Sequence, residues 1–203
     1  MLTAYASRPW LLTPDERRVP LRPRTRRTGP QAVLFDRDGT LIQDLPHDSD
    51  PDRVRLMPHA KAAVGELRAR GIPVGVVTNQ PGLARGVLTR GTVEDVRRRV
   101  EELLGPFDVW AVCPHEPEDG CGCRKPAPGL VHAACALLGA DPRATVVLGD
   151  IGADIQAARS AGGTGVLIPT PVTRPEETAA ADRTAPDLLT AVRGLLNLPG
   201  GTT

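Results

Sequence analysis

Two aspartates one residue apart, Asp36 and Asp38, follow the apolar run Val33-Leu34-Phe35 and precede Gly39-Thr40. Carboxylates that close repel one another unless a cation lies between them. A hard divalent ion such as Mg2+ prefers such oxygen donors. Side chains alternate faces along a strand, so both acids serve one site only where the backbone leaves regular strand geometry, and Gly39 supports that bend. The pair suits a nucleophile, Asp36, with an acid/base partner, Asp38. Standing alone, the pattern also describes a solvated strand end, so the weight falls on the rest of the chain.

A second cluster has the spacing Cys113-x-His115-x5-Cys121-x-Cys123. Three thiolates and one imidazole complete a tetrahedral zinc shell with no position left for water, which makes the expected zinc structural. The loop is poor in apolar residues. An ion would pin it and so position Arg124 and Lys125, which follow directly. Four ligands at such short spacing make free thiols beside a chance histidine the poorer alternative. Cys135 sits at helical spacing among Ala and Leu and reads as core.

Strands must carry these groups. The chain predicts strands over Ala32–Phe35, Ile72–Val77, Val109–Val112, Thr145–Leu148 and Gly165–Ile168. Helices are predicted from Pro58, in the first turn, to about Arg70, over Val93–Leu104 with Thr92 as N-cap, over Gly129–Leu138, over Ala153–Ala161, and from Pro186 to Leu196. Strands alternating with helices imply a parallel sheet covered on both faces. Ligands then gather at the carboxyl ends of the strands. Polar groups sit at those ends: Asp36/Asp38, Thr78/Asn79, Cys113/His115 and Asp150.

The 203 residues suit one domain with tails, and a 2% aromatic content leaves Val, Leu, Ile and Ala to build the core. A net charge of +1 argues against a dedicated nucleic-acid binder. No apolar run approaches membrane-span length, and the N-terminus lacks the pattern of a secretory signal. Clustered cysteines suit a reducing compartment, so a cytoplasmic location is expected. Residues 1–30, rich in arginine and proline, read as a flexible tail; 31–198 read as the folded domain and 199–203 as a frayed end.

In order, FDRDGT, TNQPGLARG, CPHEPEDGCGCRKPAPG and GDIGAD resemble the motifs of the haloacid dehalogenase superfamily. More narrowly they resemble its small capless, zinc-containing phosphatases (subfamily IIIA), which act on heptose bisphosphate or histidinol phosphate. The resemblance covers about residues 31–170. It implies a Rossmann-like three-layer αβα sandwich, mainly parallel and capless, with a zinc loop. Asp36 would form an aspartyl-phosphate and Asp38 would protonate the leaving alkoxide. Mg2+ would be held by Asp36, the backbone carbonyl of Asp38, and Asp150. Thr78 and Asn79 would meet phosphate oxygens, and Lys125 the phosphate and the nucleophile together. Arg124 would fork onto a second anion, and Asp44 would touch substrate. Asp154 could support the metal's outer shell or cap a helix.

The resemblance therefore implies an Mg2+-dependent phosphatase acting on a small phosphorylated metabolite. A sugar phosphate such as D-glycero-D-manno-heptose 1,7-bisphosphate is the first expectation, and a monomer is expected. Ile151 stands where the heptose enzymes usually carry lysine, and the zinc loop is short, which keeps histidinol phosphate as the alternative substrate. A non-catalytic zinc-stabilised binding module, using the arginine-rich tail, is the alternative of another class.

Overall fold

The computed structural model of the protein describes residues 8–13, 29–44 and 50–197. Among these, six strands form one sheet: β1 (Trp10–Leu12), β2 (Ala32–Phe35), β3 (Val74–Asn79), β4 (Val109–Cys113), β5 (Thr145–Gly149) and β6 (Thr164–Leu167), in spatial order β1-β4-β3-β2-β5-β6. All pairings are parallel except that of β1 with β4. Every residue of β2 is buried, as expected of a central strand covered on both faces.

The two sides of β2 feed two cores. Val33 and Phe35 pack with α1 (Ala60–Ala69), α2 (Arg90–Leu104) and α6 (Leu188–Asn197). Ala32 and Leu34 pack with α3 (Gly129–Leu138) and α4 (Gly152–Ser160). This is the three-layer sandwich expected from the sequence.

From β2 the chain adds β3 and β4 on one side, then places β5 and β6 on the other. The reversal falls between β2 and β5, which pair with Phe35 opposite Leu148. In open parallel sheets the crevice beyond the carboxyl ends at such a reversal is where ligands bind. The residues following β2 and β5 are Asp36 and Asp150.

Three helix starts differ from the sequence expectation, each for a local reason. Helix α2 begins one turn earlier, because Thr89 and Thr92 form a reciprocal cap: Thr92 N–H donates to Thr89 Oγ1 at 3.1 Å, and Thr89 N–H to Thr92 Oγ1 at 3.0 Å. Thr92 is thus the third helical residue and not the cap. Helix α1 starts after His59, which holds a left-handed conformation at φ 62°, so Pro58 lies outside the helix. Helix α6 starts at Leu188, after Asp187, whose carboxylate accepts the Thr190 N–H at 2.9 Å. A short helix, α5 (Pro175–Ala180), was not anticipated.

Of the tail expected over 1–30, residues 1–7 and 14–28 lie outside the described residues, while three of the others form a strand. Trp10–Leu12 pairs antiparallel with Val112–Trp110 and closes one edge of the sheet. Trp10 packs against the cluster of Leu88, Val93 and Val112, with the Arg90 guanidinium 5.2 Å from its ring centroid. The expected frayed end, 199–203, lies outside the described residues.

Candidate active site

The site grows from the ends of β2, β3 and β5 and from the loop after β4. Asp36 leaves β2 with its N–H still donating to Leu148 O at 2.9 Å, so the sheet fixes its backbone. Gly39 then turns the chain at φ 74°, a conformation that favours glycine. A Cβ at Gly39 would lie 2.3 Å from Asp150 Oδ2, so the turn after β2 and the aspartate after β5 touch only because no side chain intervenes. Thr40 donates its hydroxyl to Asp150 Oδ1 at 3.2 Å.

Lys125 enters from the loop after β4. Its buried ammonium donates to Asp36 Oδ1 at 2.7 Å, to Asp154 Oδ1 at 2.5 Å and to Val77 O at 2.9 Å. All three donor directions of the ammonium are thereby used. Asp154, fully buried on the first turn of α4, also accepts the Ile151 N–H at 3.3 Å through its other oxygen. It therefore caps its helix and also pairs with Lys125.

Charge at this point does not balance. Asp36, Asp150 and Asp154 bring three buried carboxylates with donor oxygens within 4.8 Å of one another, against the single ammonium of Lys125. Burial, reinforced by Asp154 and Asp38 and opposed by Lys125, pushes the Asp36 carboxyl up to about 8. Burial and then Asp154 push Asp150 up to about 6. Burial disfavours the Lys125 cation too, but Asp154 and Asp36 together outweigh it and raise its pKa. A divalent cation would supply the two missing positive charges, and an all-oxygen donor set suits Mg2+.

The Asp38 carboxylate has partners of its own. Arg37 Nε lies 3.0 Å from both its oxygens, and the Gln80 amide donates to Oδ2 at 2.9 Å. The same Gln80 nitrogen reaches Thr78 Oγ1 at 2.9 Å, linking the end of β3 to the acid pair.

Two expected phosphate contacts are otherwise engaged. Asn79 Nδ2 donates to Lys125 O, and Lys125 N–H donates to Asn79 Oδ1, both at 3.1 Å. Its carboxamide fixes the lysine loop instead of facing a substrate. Arg124 donates to the His115 carbonyl at 3.0 Å, which ties it to the cysteine loop. Asp44 lies exposed at the edge of its described segment.

The cysteine loop closes on itself. Cys113, His115, Cys121 and Cys123 converge with ligand atoms 3.3 to 3.7 Å apart. A tetrahedron with zinc–sulfur bonds of about 2.3 Å has edges of roughly 3.7 Å, so the donor set and its size fit zinc. The Cys123 thiol bonded to Cys113 holds the latter down to about 5, against the effect of burial, while the same contact raises Cys123. Cys135 is buried among the α3 core residues, as expected.

Comparison with known proteins agrees with this architecture. Residues 47–162 match the family model described as haloacid dehalogenase-like hydrolase. The chain belongs to that family. It is a phosphatase, a phosphoric monoester hydrolase, and the binding-module alternative gives way. The D-glycero-beta-D-manno-heptose-1,7-bisphosphate 7-phosphatase of Salmonella typhi is 36% identical over 163 residues, covering 73% of this chain and 87% of that protein. The protein of that name from Bordetella bronchiseptica is 34% identical over 135 residues, covering 64% and 75%.

Among solved structures, D,D-heptose 1,7-bisphosphate phosphatase from B. bronchiseptica, complexed with magnesium and phosphate, superposes with a TM-score of 0.72. It has 29% identity and covers 81% of this chain and 98% of that one. A HAD-like phosphatase from Mesorhizobium loti gives a TM-score of 0.67 at 30% identity, covering 93% and 95%.

For a haloacid dehalogenase-like hydrolase, the sequence signals missed here are Arg37, Thr40 and Gln80. Each stands within two residues of a motif aspartate or threonine. Their contacts come from the folding of three strand ends together. His47 lies outside the described residues.

Proposed function

We propose that the protein hydrolyses a sugar phosphate of the heptose bisphosphate type through a covalent aspartyl-phosphate. Asp36 attacks phosphorus, and its new O–P bond forms as the bond to the leaving oxygen breaks. Asp38 gives that oxygen its proton. The same carboxylate then takes a proton from water, whose oxygen attacks the phosphoryl group and releases phosphate and free Asp36. Lys125 remains ionised between Asp36 and Asp154 and offsets negative charge as it builds. Asn79 holds the lysine backbone, and Gln80 with Arg37 aims Asp38. Asp36, Asp150 and the Asp38 carbonyl would hold Mg2+, which when bound screens carboxylate from phosphate. Zinc on the four Cys/His ligands would be structural.

The observation that carries this reading is the imbalance of three buried carboxylates and one ammonium at the sheet's reversal point. The names of the relatives support the heptose substrate. Ile151 favours the second reading, histidinol phosphate, because it places no cation beside Asp150 for a second phosphate. A phosphate-release screen over heptose 1,7-bisphosphate, other sugar phosphates and histidinol phosphate, with and without Mg2+, tests both. Release from none of them would sink the proposal, and a clear kcat/KM preference for histidinol phosphate would move it to the second reading.

A cytoplasmic location fits four cysteines that form no disulfide among the described residues. Among the described residues no helix is long and apolar enough to cross a membrane.

A further inference from the structure

The short segment after β6 contains a helix the sequence did not announce, and it lies beyond the residues the family model matches. It is tied to the turn that carries Asp150. Thr173 Oγ1 donates to the Asp150 carbonyl at 2.6 Å. That hydroxyl is itself held, accepting the Thr170 N–H at 2.8 Å. Glu177 Oε1 accepts the Gly152 N–H at 3.0 Å. Its other oxygen, Oε2, accepts the Arg174 N–H at 3.0 Å, and the Arg174 guanidinium lies 3.0 Å from Oε1.

Backbone groups through this turn are thereby accounted for in sequence. Gly149 O accepts from Ile168 N–H at 2.8 Å. Asp150 O accepts from Thr173. Ile151 N–H donates to Asp154 at 3.3 Å. Gly152 N–H donates to Glu177. The first two partners follow β6, the third sits on α4 and the last on α5. A Cβ at Gly152 would stand 3.0 Å from Glu177 Oε1, so the close approach depends on the glycine. Glu177 keeps only 12% of its side chain exposed, which an ordinary surface capping acid has no need to do.

We propose that Thr173 and Glu177 are positioning residues for the divalent cation. They act through Asp150: with its carbonyl and the next N–H but one both clamped, the carboxylate has one backbone from which to point at the ion. The same two bonds make segment 170–177 a brace behind the turn that carries Asp150. The proposal rests on Asp150 being a cation ligand. Outer partners of metal ligands typically set metal affinity by about 10- to 100-fold.

The test is titration calorimetry of Mg2+ into the full chain, its zinc retained, with kcat and KM measured at saturating Mg2+. Thr173→Val removes the hydroxyl at constant shape, and Glu177→Ala removes the acceptor. Each should weaken Mg2+ about tenfold or more while kcat at saturating Mg2+ falls much less. Thr173→Ser should restore affinity, since it returns only the hydroxyl. Wild-type Mg2+ affinity in Thr173→Val and Glu177→Ala, with only a lowered Tm, would overturn the proposal. Should Thr173→Val not fold, Glu177→Ala and Thr173→Ser decide. Asp150→Asn separates the two levels: if it keeps wild-type Mg2+ affinity, the ligand assignment itself is wrong. If it loses binding while the brace variants do not, only the brace is wrong.

Discussion

Asn79 and Lys125 exchange two hydrogen bonds, side chain to backbone in both directions, each 3.1 Å long. The end of β3 thus sets the position of a lysine 46 residues away, and that lysine in turn meets Asp36 on β2's end. Both polar atoms of the Asn79 carboxamide are thus spent on the loop that carries the lysine.

Asn79→Ala should therefore act on turnover more than on substrate capture. It strands the Lys125 N–H and carbonyl and should cost about 1–3 kcal/mol of stability. Displacing the ammonium by a fraction of an ångström to about 1 Å should lower kcat by up to about a hundredfold. Denaturant unfolding and steady-state kinetics measure the two effects. Unchanged kcat would show that the clamp is not needed to aim the lysine.

Asp36→Asn should leave the fold intact and reduce turnover by about four orders of magnitude or more, as loss of a nucleophile does. Because it removes one buried charge of an excess-acid cluster, Tm in Mg2+-free buffer should not fall. Trapping of a phosphorylated enzyme in the wild type, absent in Asp36→Asn, checks the covalent step. Residual activity within tenfold of wild type excludes Asp36 as nucleophile.

The raised pKa values of Asp36, about 8, and Asp150, about 6, against the ordinary 3.8 of an aspartate fix a sign for stability. Between the ordinary value and the raised ones the folded chain holds protons that the unfolded chain has released. Their contribution is fully present below about pH 4 and is lost as pH rises through 6 and then 8. In Mg2+-free buffer these two groups should make Tm decline across that window, and Asp36→Asn should flatten the upper half. Saturating Mg2+ replaces the protons, so the Tm gain it gives should grow with pH. A Mg2+-induced shift independent of pH would show that these carboxyls do not meet the ion.

Cys121→Ser should release the zinc loop. Metal analysis of the purified protein should find one zinc per chain, lost or much reduced in the variant. A cost of several kcal/mol would lower Tm by roughly 10 °C in a chain of this size. Turnover should fall with it, because Arg124 anchors to the His115 carbonyl and Lys125 follows next. Absence of zinc from protein expressed in zinc-supplemented medium would remove the site.

Much of this was legible in the chain, and the pattern of what was not is physical. Val33-Leu34-Phe35 followed by Asp36 and Asp38 announces a buried strand with acids at its end, because a strand covered on both faces reads as a run of apolar residues. Cys113 to Cys123 announces its own closure, since the four ligands lie within one loop. By contrast, Trp10–Leu12 becomes a strand only by pairing with Trp110–Val112, a partner a hundred residues distant that three residues of local pattern cannot name. Asp154 was seen as either cap or metal support. Its bond to Lys125 depends on α3 lying between them in the chain while β5 brings α4 back to the same end of the sheet. Gln80 carries no signal of its own in the chain, and the parallel placement of β2 beside β3 lets one amide reach both Asp38 and Thr78.

The contact between Thr40 and Asp150 joins positions 110 residues apart. Since β2 sits between its neighbours β3 and β5, a chain still being synthesised has one flank of that strand bare until β5 emerges. No nascent fragment ending before residue 150 holds the cation pocket, so return of Mg2+-dependent turnover after dilution from denaturant should report the last pairing of the sheet, and a refolding time course read by activity should lag one read by helix content.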